Sequence, residues 1–198
     1  MEMPKVVDHG QRRGEIAEAL WRIAAAEGLE AVSLARVAQE AGVSKGRVQH
    51  YFASRDELLD FAAQHLRLRV DERVRARMAA AAPSSPLGEV RALLVALLPL
   101  DDDARTDARV GSAFLIRALG DDRLRETYRT GDRLIRAAVA DRLAAARDAG
   151  ELAALDPDRE ATVLLALAGG LAESVLLGDA DEAGALAVLD HQLGRLRP

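Results

Sequence analysis

From Ile16 to Leu196 the apolar residues of this chain return every three or four positions. Nowhere do long runs of Val, Ile, Thr and Tyr alternate with polar residues as a half-buried strand requires. That period selects helices and leaves no material for a sheet. The composition agrees: the 49% hydrophobic fraction is mostly Ala, Leu and Val, aromatics make up 3%, and 198 residues hold 6 prolines. The expected fold class is all-α, with about nine helices, in one compact unit plus a small appendage.

Punctuation places the helices. The first, with Ile16, Leu20, Ile23 and Ala24 on one face, stops at Gly28; Ser33 caps a second carrying Leu34, Val37, Ala38 and Ala41, which Gly42 closes. Ser44 caps a short third helix with Val48, Tyr51 and Phe52, and Ser54-Arg55-Asp56-Glu57 has the form of a capping box opening a fourth. That helix runs toward Ala82 until Pro83-Ser-Ser-Pro86 breaks it, so the boundary between a small first domain and the rest falls within or beside it. A fifth helix follows to Pro99, Asp101 to Asp103 lie in a connection, and a sixth ends near Gly120. A longer, amphipathic seventh ends at Gly150. Asp156-Pro157 opens an eighth that is apolar almost all round from Val163 to Leu177, and Leu186, Leu189, Leu193 and Leu196 form a narrow seam on a ninth.

Several function classes drop out. Zero cysteines exclude disulfides and thiolate metal sites, and His9, His50, His65 and His191 lack the spacing of a metal pair. No nucleophile elbow or phosphate-cradling loop is present, so neither an enzyme, a cofactor nor a metal is expected. The most apolar run, Val163 to Ala172, is about half of the ~20 residues a bilayer span needs. With the polar start after Met1, this leads to the expectation of a cytoplasmic protein without a membrane partner. A net charge of −5 confines any phosphate contact to a local patch.

Such a patch exists between Val43 and Arg55, where Lys45, Arg47, His50 and Arg55 occur before the first acid, Asp56. Two short helices joined by Gly42-Val43-Ser44 have the dimensions of a helix-turn-helix, whose second helix fits a major groove about 12 Å wide. Val48 and Phe52 would pack inward, leaving Lys45, Gly46, Arg47, Gln49 and His50 outward. Lys45 and Arg47 can donate to guanine O6 and N7, and Gly46 lets backbone approach DNA. Gln49, His50 and Tyr51 can reach phosphates or base edges, and Arg55 stands at a helix N-terminus that favours phosphate. Double-stranded DNA is the expected partner.

The stretch from Ile16 to Leu59 resembles the DNA-binding domain of the TetR family of bacterial regulators. Its marks are Ala19, Gly28, Ser33, Val37-Ala38, Ala41-Gly42-Val43-Ser44, Gly46, Tyr51-Phe52, Arg55 and Leu58-Leu59. The resemblance implies a helix-turn-helix DNA-binding domain over residues 1–56, to which Ser33 and Ser44 also contribute, and a helical ligand-binding and dimerisation domain over 57–198. Two positions depart from the family pattern: Gln49 stands where Tyr is usual, and Arg55 where Lys is usual.

For the second domain the resemblance implies a homodimer joined through the last two helices and a small-molecule effector among the middle ones. Val163, Leu167, Gly170, Leu171, Ser174, Leu186, Leu189, Leu193 and Leu196 are the candidate dimer residues. Phe61, Met78, Leu97, Phe114, Arg117 and Tyr128 are the candidate pocket residues, and the effector itself is not specified by sequence. The arginines at 67, 69, 73, 75 and 77 read as a solvated face paired with Asp71 and Glu72. The expected function is a ligand-responsive repressor that binds a palindromic operator as a homodimer. The alternatives are an effector-independent architectural or division-control protein with the same heads, and a helical enzyme or carrier with a vestigial helix-turn-helix.

Overall fold

The structure, a computed structural model, describes residues 9–198. Among these the regular elements are all helical: α1 (His9–Glu27), a 3-10 turn (Leu29–Ala31), α2 (Leu34–Glu40), α3 (Lys45–Tyr51), α4 (Arg55–Ala81), α5 (Pro86–Leu97), α6 (Asp102–Ala118), α7 (Asp122–Asp148), α8 (Pro157–Leu177) and α9 (Glu182–Arg195). The caps act as their residue types dictate. Ser33, Ser44, Ser85, Asp156 and Asp181 each accept a backbone N–H of the following first turn, and Pro86 and Pro157 occupy first-turn positions where no N–H is needed. Gly28, Gly42, Gly150 and Gly178 take the positive φ that lets the chain leave a helix sharply.

The chain divides into two compact units. One comprises the chain up to Leu68 with Arg109–Thr127; the other comprises Arg69–Ala108 with Tyr128–Pro198. In the first, Leu20 and Ile23 of α1, Val37 of α2, Val48 of α3, Phe52, and Leu58 and Leu59 of α4 are fully buried, so the first three helices and the start of α4 share one apolar centre. The second is organised around Leu94 of α5, Leu98 just past it, Leu143 of α7, Leu164 of α8 and Leu189 of α9.

Two expectations are corrected here. The aspartates 101–103 are not a connection: Asp101 accepts the Ala104 N–H at 2.7 Å, and Asp102 and Asp103 form the first turn of α6, where the positive helix end favours them. Nor is the arginine run of α4 simply a solvated face. Arg69 and Arg73 converge on Asp107, 4% exposed and the buried acid of the described residues, while Arg77 bonds Asp101 and the carbonyls of Ala96 and Leu98. Arg75 donates to its own helix, to the Asp71 carbonyl. A buried carboxylate needs charged donors, and arginines four apart on one helix face supply them.

Candidate nucleic-acid interface

α3 is only seven residues long, and its ends are held from outside. Ser44 Oγ accepts the Arg47 N–H at 3.2 Å; Gly42, at φ 66°, turns the chain so that the Val43 N–H reaches the Ala38 carbonyl at 3.0 Å. The fully buried Val48 and Phe52 anchor one face. Lys45, Gly46, Arg47, Gln49 and His50 are all exposed on the other, Tyr51 is half-buried, and a Cβ at Gly46 would meet nothing within 4 Å. Ser33, also exposed, holds α2 through the Arg36 N–H at 3.1 Å.

Electrostatically α3 differs from α2. Arg36 of α2 pairs with Glu27 at 2.7 Å and Glu40 at 3.2 Å, and Arg22 reaches Glu40 at 2.9 Å. Their hydrogen bonds raise the Arg36 guanidinium, through Glu27 first, and hold the Glu40 carboxyl below its ordinary range, through Arg22 first. Among the described residues neither Lys45 nor Arg47 enters an ion pair. The positive charge of α2 is compensated within the protein. That of α3 is left outward, where it can be compensated by phosphate or by guanine O6 and N7.

Arg55 is placed differently from its expected phosphate contact. Its Nε donates to the Val32 carbonyl and its Nη2 to the Leu29 carbonyl, both at 2.7 Å, so the side chain ties the start of α4 to the 3-10 turn. The capping box also departs from its usual form: Glu57 N–H donates to Ser54 Oγ at 3.1 Å, but the Glu57 carboxylate accepts from Ala53 N–H at 2.8 Å, and it pairs with Arg13 at 3.2 Å.

Arg13 belongs to a column that sequence spacing did not reveal. Its guanidinium lies 4.5 Å from the centroids of both Phe52 and Phe61; Phe61 stacks on His65 at 5.5 Å, and His65 on Trp21 at 5.4 Å. Trp21 Nε1 donates to the Ala62 carbonyl at 3.2 Å. The column fastens α1 to α4 and to the end of α3, and it makes Phe61 a packing residue of the head. At the start of α1, His9 packs against α3, its ring centroid 4.7 Å from that of Tyr51.

Of the other candidate pocket residues, Phe114 is fully buried in the first unit. Arg117 bonds Asp56 at 3.2 Å and lies 3.8 Å from Asp121. It lines an open groove of about 480 Å³ with Gly28, Leu29, Glu30, Ala113, Ile116, Gly120 and Asp121. Met78, Leu97 and Tyr128 belong to the second unit and are half-buried, and burial pushes the Tyr128 hydroxyl up to about 12.

The candidate dimer residues separate by direction. Leu171 of α8 and Leu189 and Leu193 of α9 are buried in the core of their own unit, with Leu186 and Leu196 packed against it. The α9 seam is therefore covered within the chain, a correction to its expected role. Val163 and Gly170 are exposed, Leu167 and Ser174 half-buried, and with the exposed Ala166, Glu173 and Leu177 they trace one outward stripe along α8. On α9 the outward face carries Gly184, Ala187, Val188 and His191. By length and composition alone α8, at 21 residues, is apolar enough to cross a membrane, a correction to the shorter run read from sequence.

Comparison with known proteins bears on both parts of the chain. Residues 16–61 match the family model for bacterial regulatory proteins of the tetR family, and residues 86–198 that for the C-terminal part of BetI-type transcriptional repressors. The chain is 37% identical over 112 residues to the HTH-type transcriptional regulator PksA of Bacillus subtilis (strain 168), covering 57% of this chain and 54% of that protein. It therefore spans little more than half the length of that relative. It is 34% identical over 134 residues, 66% of this chain and 67% of the other, to the HTH-type transcriptional regulator BetI of Burkholderia mallei (strain NCTC 10229). The crystal structure of a transcriptional regulator from Rhodococcus sp. Rha1 superposes with a TM-score of 0.79 at 32% identity, over 93% of this chain and 95% of that one.

Proposed function

The chain belongs to the tetR family of bacterial regulatory proteins, its C-terminal part being of the BetI repressor type, and on that footing we propose that it is a cytoplasmic, ligand-responsive transcriptional repressor. Two copies bind a palindromic operator. In each, residues 1–56 read DNA and residues 57–198 serve dimerisation and effector binding. The observation that carries this reading is the outward face of α3, where Lys45 and Arg47 stand uncompensated on a helix capped at one end and anchored by Val48 and Phe52.

The remaining sites follow the same logic. Lys45 and Arg47 read bases, Gly46 admits the backbone, and Gln49, His50 and Tyr51 contact phosphates or base edges, with Ser33 and Ser44 holding the helix starts at the duplex. The second copy covers the apolar stripe of α8 from Val163 to Leu177 and the adjoining face of α9, where Gly169 and Gly170 let a partner helix approach closely. The effector meets the half-buried Met78, Leu97 and Tyr128 of α4, α5 and α7. It acts by binding one spacing of the two heads more tightly than another, since a ligand indifferent to the two states shifts neither.

Selection of duplexes from a random pool tests the reading. A regulator recovers a two-fold symmetric sequence and binds it as a dimer, with an affinity that falls steeply with salt as phosphate counterions are released. Recovery of no preferred sequence at low salt overturns it.

A further inference from the structure

The recognition helix meets an aromatic neighbour at its C-terminal end. His9, the first residue of α1, lies with its ring 4.7 Å from Tyr51, tilted by 58°, and 6.4 Å from His50, edge to face at 64°; His50 and Tyr51 are themselves T-shaped at 5.2 Å. Three rings from two helices thus touch in one cluster, and two of the three belong to the helix whose outward residues read DNA in the function proposed above. We infer that His9 is a positioning residue of this reading surface: it holds the Tyr51 and His50 side chains in the orientation in which they meet the duplex.

The physical need for such a residue follows from the helix itself. α3 has two turns, and its buried anchors, Val48 and Phe52, restrain the backbone but not the outward rings. His50 is exposed and would otherwise sample several rotamers, each of which has to be given up when DNA binds. Ring neighbours in tilted and edge-to-face arrangements narrow that choice before binding. Tyr51 is half-buried, with one flank against His9. His9 in turn begins a helix fastened to the head further along, where Arg13 sits between Phe52 and Phe61 and Trp21 bonds the Ala62 carbonyl. The positioning ring is thereby mounted on a fixed support and not on a loop. Lys45 and Arg47, at the opposite end of α3, have no such ring neighbour, and only the backbone beneath them is held, by the Ser44 cap and the buried Val48.

This inference rests on the DNA-binding reading, and the experiment separates the two. The full chain and its His9→Ala and His9→Phe variants are titrated with the duplex recovered by random-pool selection and with a scrambled duplex of equal length, across a range of salt. For His9→Ala, removal of aromatic packing worth about a three- to tenfold factor is expected to weaken the selected duplex by that factor. It leaves the scrambled duplex and the salt slope unchanged. His9→Phe, which keeps a ring, restores the affinity, and His9→Ala has no further effect in a Tyr51→Ala, His50→Ala background. Equal losses on both duplexes, a salt slope reduced by about one, or His9→Phe behaving as His9→Ala would each overturn the positioning role, the second by making His9 a direct phosphate contact. A parent chain that selects no duplex overturns the regulatory reading. One that selects a duplex while His9→Ala binds it equally well overturns this inference alone.

Discussion

Arg47 and Arg55 carry the same guanidinium on neighbouring helices and are put to opposite uses. Arg47 is exposed and outside any ion pair of the described residues; Arg55 gives two donors to the carbonyls of Leu29 and Val32. The predictions diverge accordingly. Arg47→Ala should weaken the selected duplex by ~1 to 3 kcal/mol and relax preference at one base position, measured by titrating single-base variants. Arg55→Ala should instead lower the unfolding free energy by ~2 to 3 kcal/mol, because two buried carbonyls lose charge-assisted partners, and urea unfolding checks it. Tyr128 supplies a residue-scale test of pH. Its hydroxyl is raised by burial to about 12, so the folded chain keeps a proton that the unfolded chain releases above the ordinary value near 10. Stability is fully present below pH 10 and is lost as pH rises toward 12, by up to ~2 kcal/mol. With only two lysines in the chain few other groups titrate there, and Tyr128→Phe should flatten that part of the profile.

At the scale of elements, the helix ends show where a sequence declares itself. α6 begins where Asp101 accepts the Ala104 N–H, which holds its carboxyl below the ordinary range, with Arg77 adding to the effect. Its contribution is present above that range and is lost as pH falls through the lowered value, and Asp101→Ala should cost about 1 kcal/mol at neutral pH in thermal unfolding. α4 is followed by Ala82 at φ 41°, a left-handed conformation that L residues adopt at a cost. Ala82→Gly is therefore expected to raise stability by ~0.5 to 1 kcal/mol, again by thermal unfolding. Other helix ends could be read beforehand. Ser33, Ser44, Asp156-Pro157 and the glycines announce their boundaries, because the side chain that caps a helix is local in sequence. The division of α3 into an inward Val48 and an outward Lys45, Arg47 and Gln49 was legible for the same reason, periodicity alone deciding it. The direction of Arg55, the Arg13 column and the inward turn of Leu189 and Leu193 were not, since each depends on a residue far along the chain. An apolar seam tells that it will be covered, not by what.

For the whole molecule, that ambiguity passes to α8. Its inward residues Leu164, Leu171 and Val175 pack in the chain's own core, while Val163, Ala166, Gly170 and Leu177 remain outward, two of them with side chains 48% and 70% exposed. An apolar stripe of this length left in water favours association, and a two-fold partner offering the same stripe satisfies it without a second kind of surface. The proposed reading of a palindrome requires that pairing, because one α3 covers only one half-site and two must be tied together to gain from effective concentration. Val163→Glu therefore makes a discriminating variant. It places an exposed, well-hydrated carboxylate on each monomer, harmless to the monomer's fold, yet in the dimer it buries two like charges without partners at a cost of ~3 to 5 kcal/mol. Sedimentation should show the variant as a monomer at concentrations where the parent chain is a dimer, with an unchanged melting profile extrapolated to low concentration. Binding to the selected duplex should fall by about a hundredfold or more while binding to an isolated half-site is unaltered. A variant that stays dimeric would assign the α8 stripe to another partner and leave the pairing of heads to a different surface.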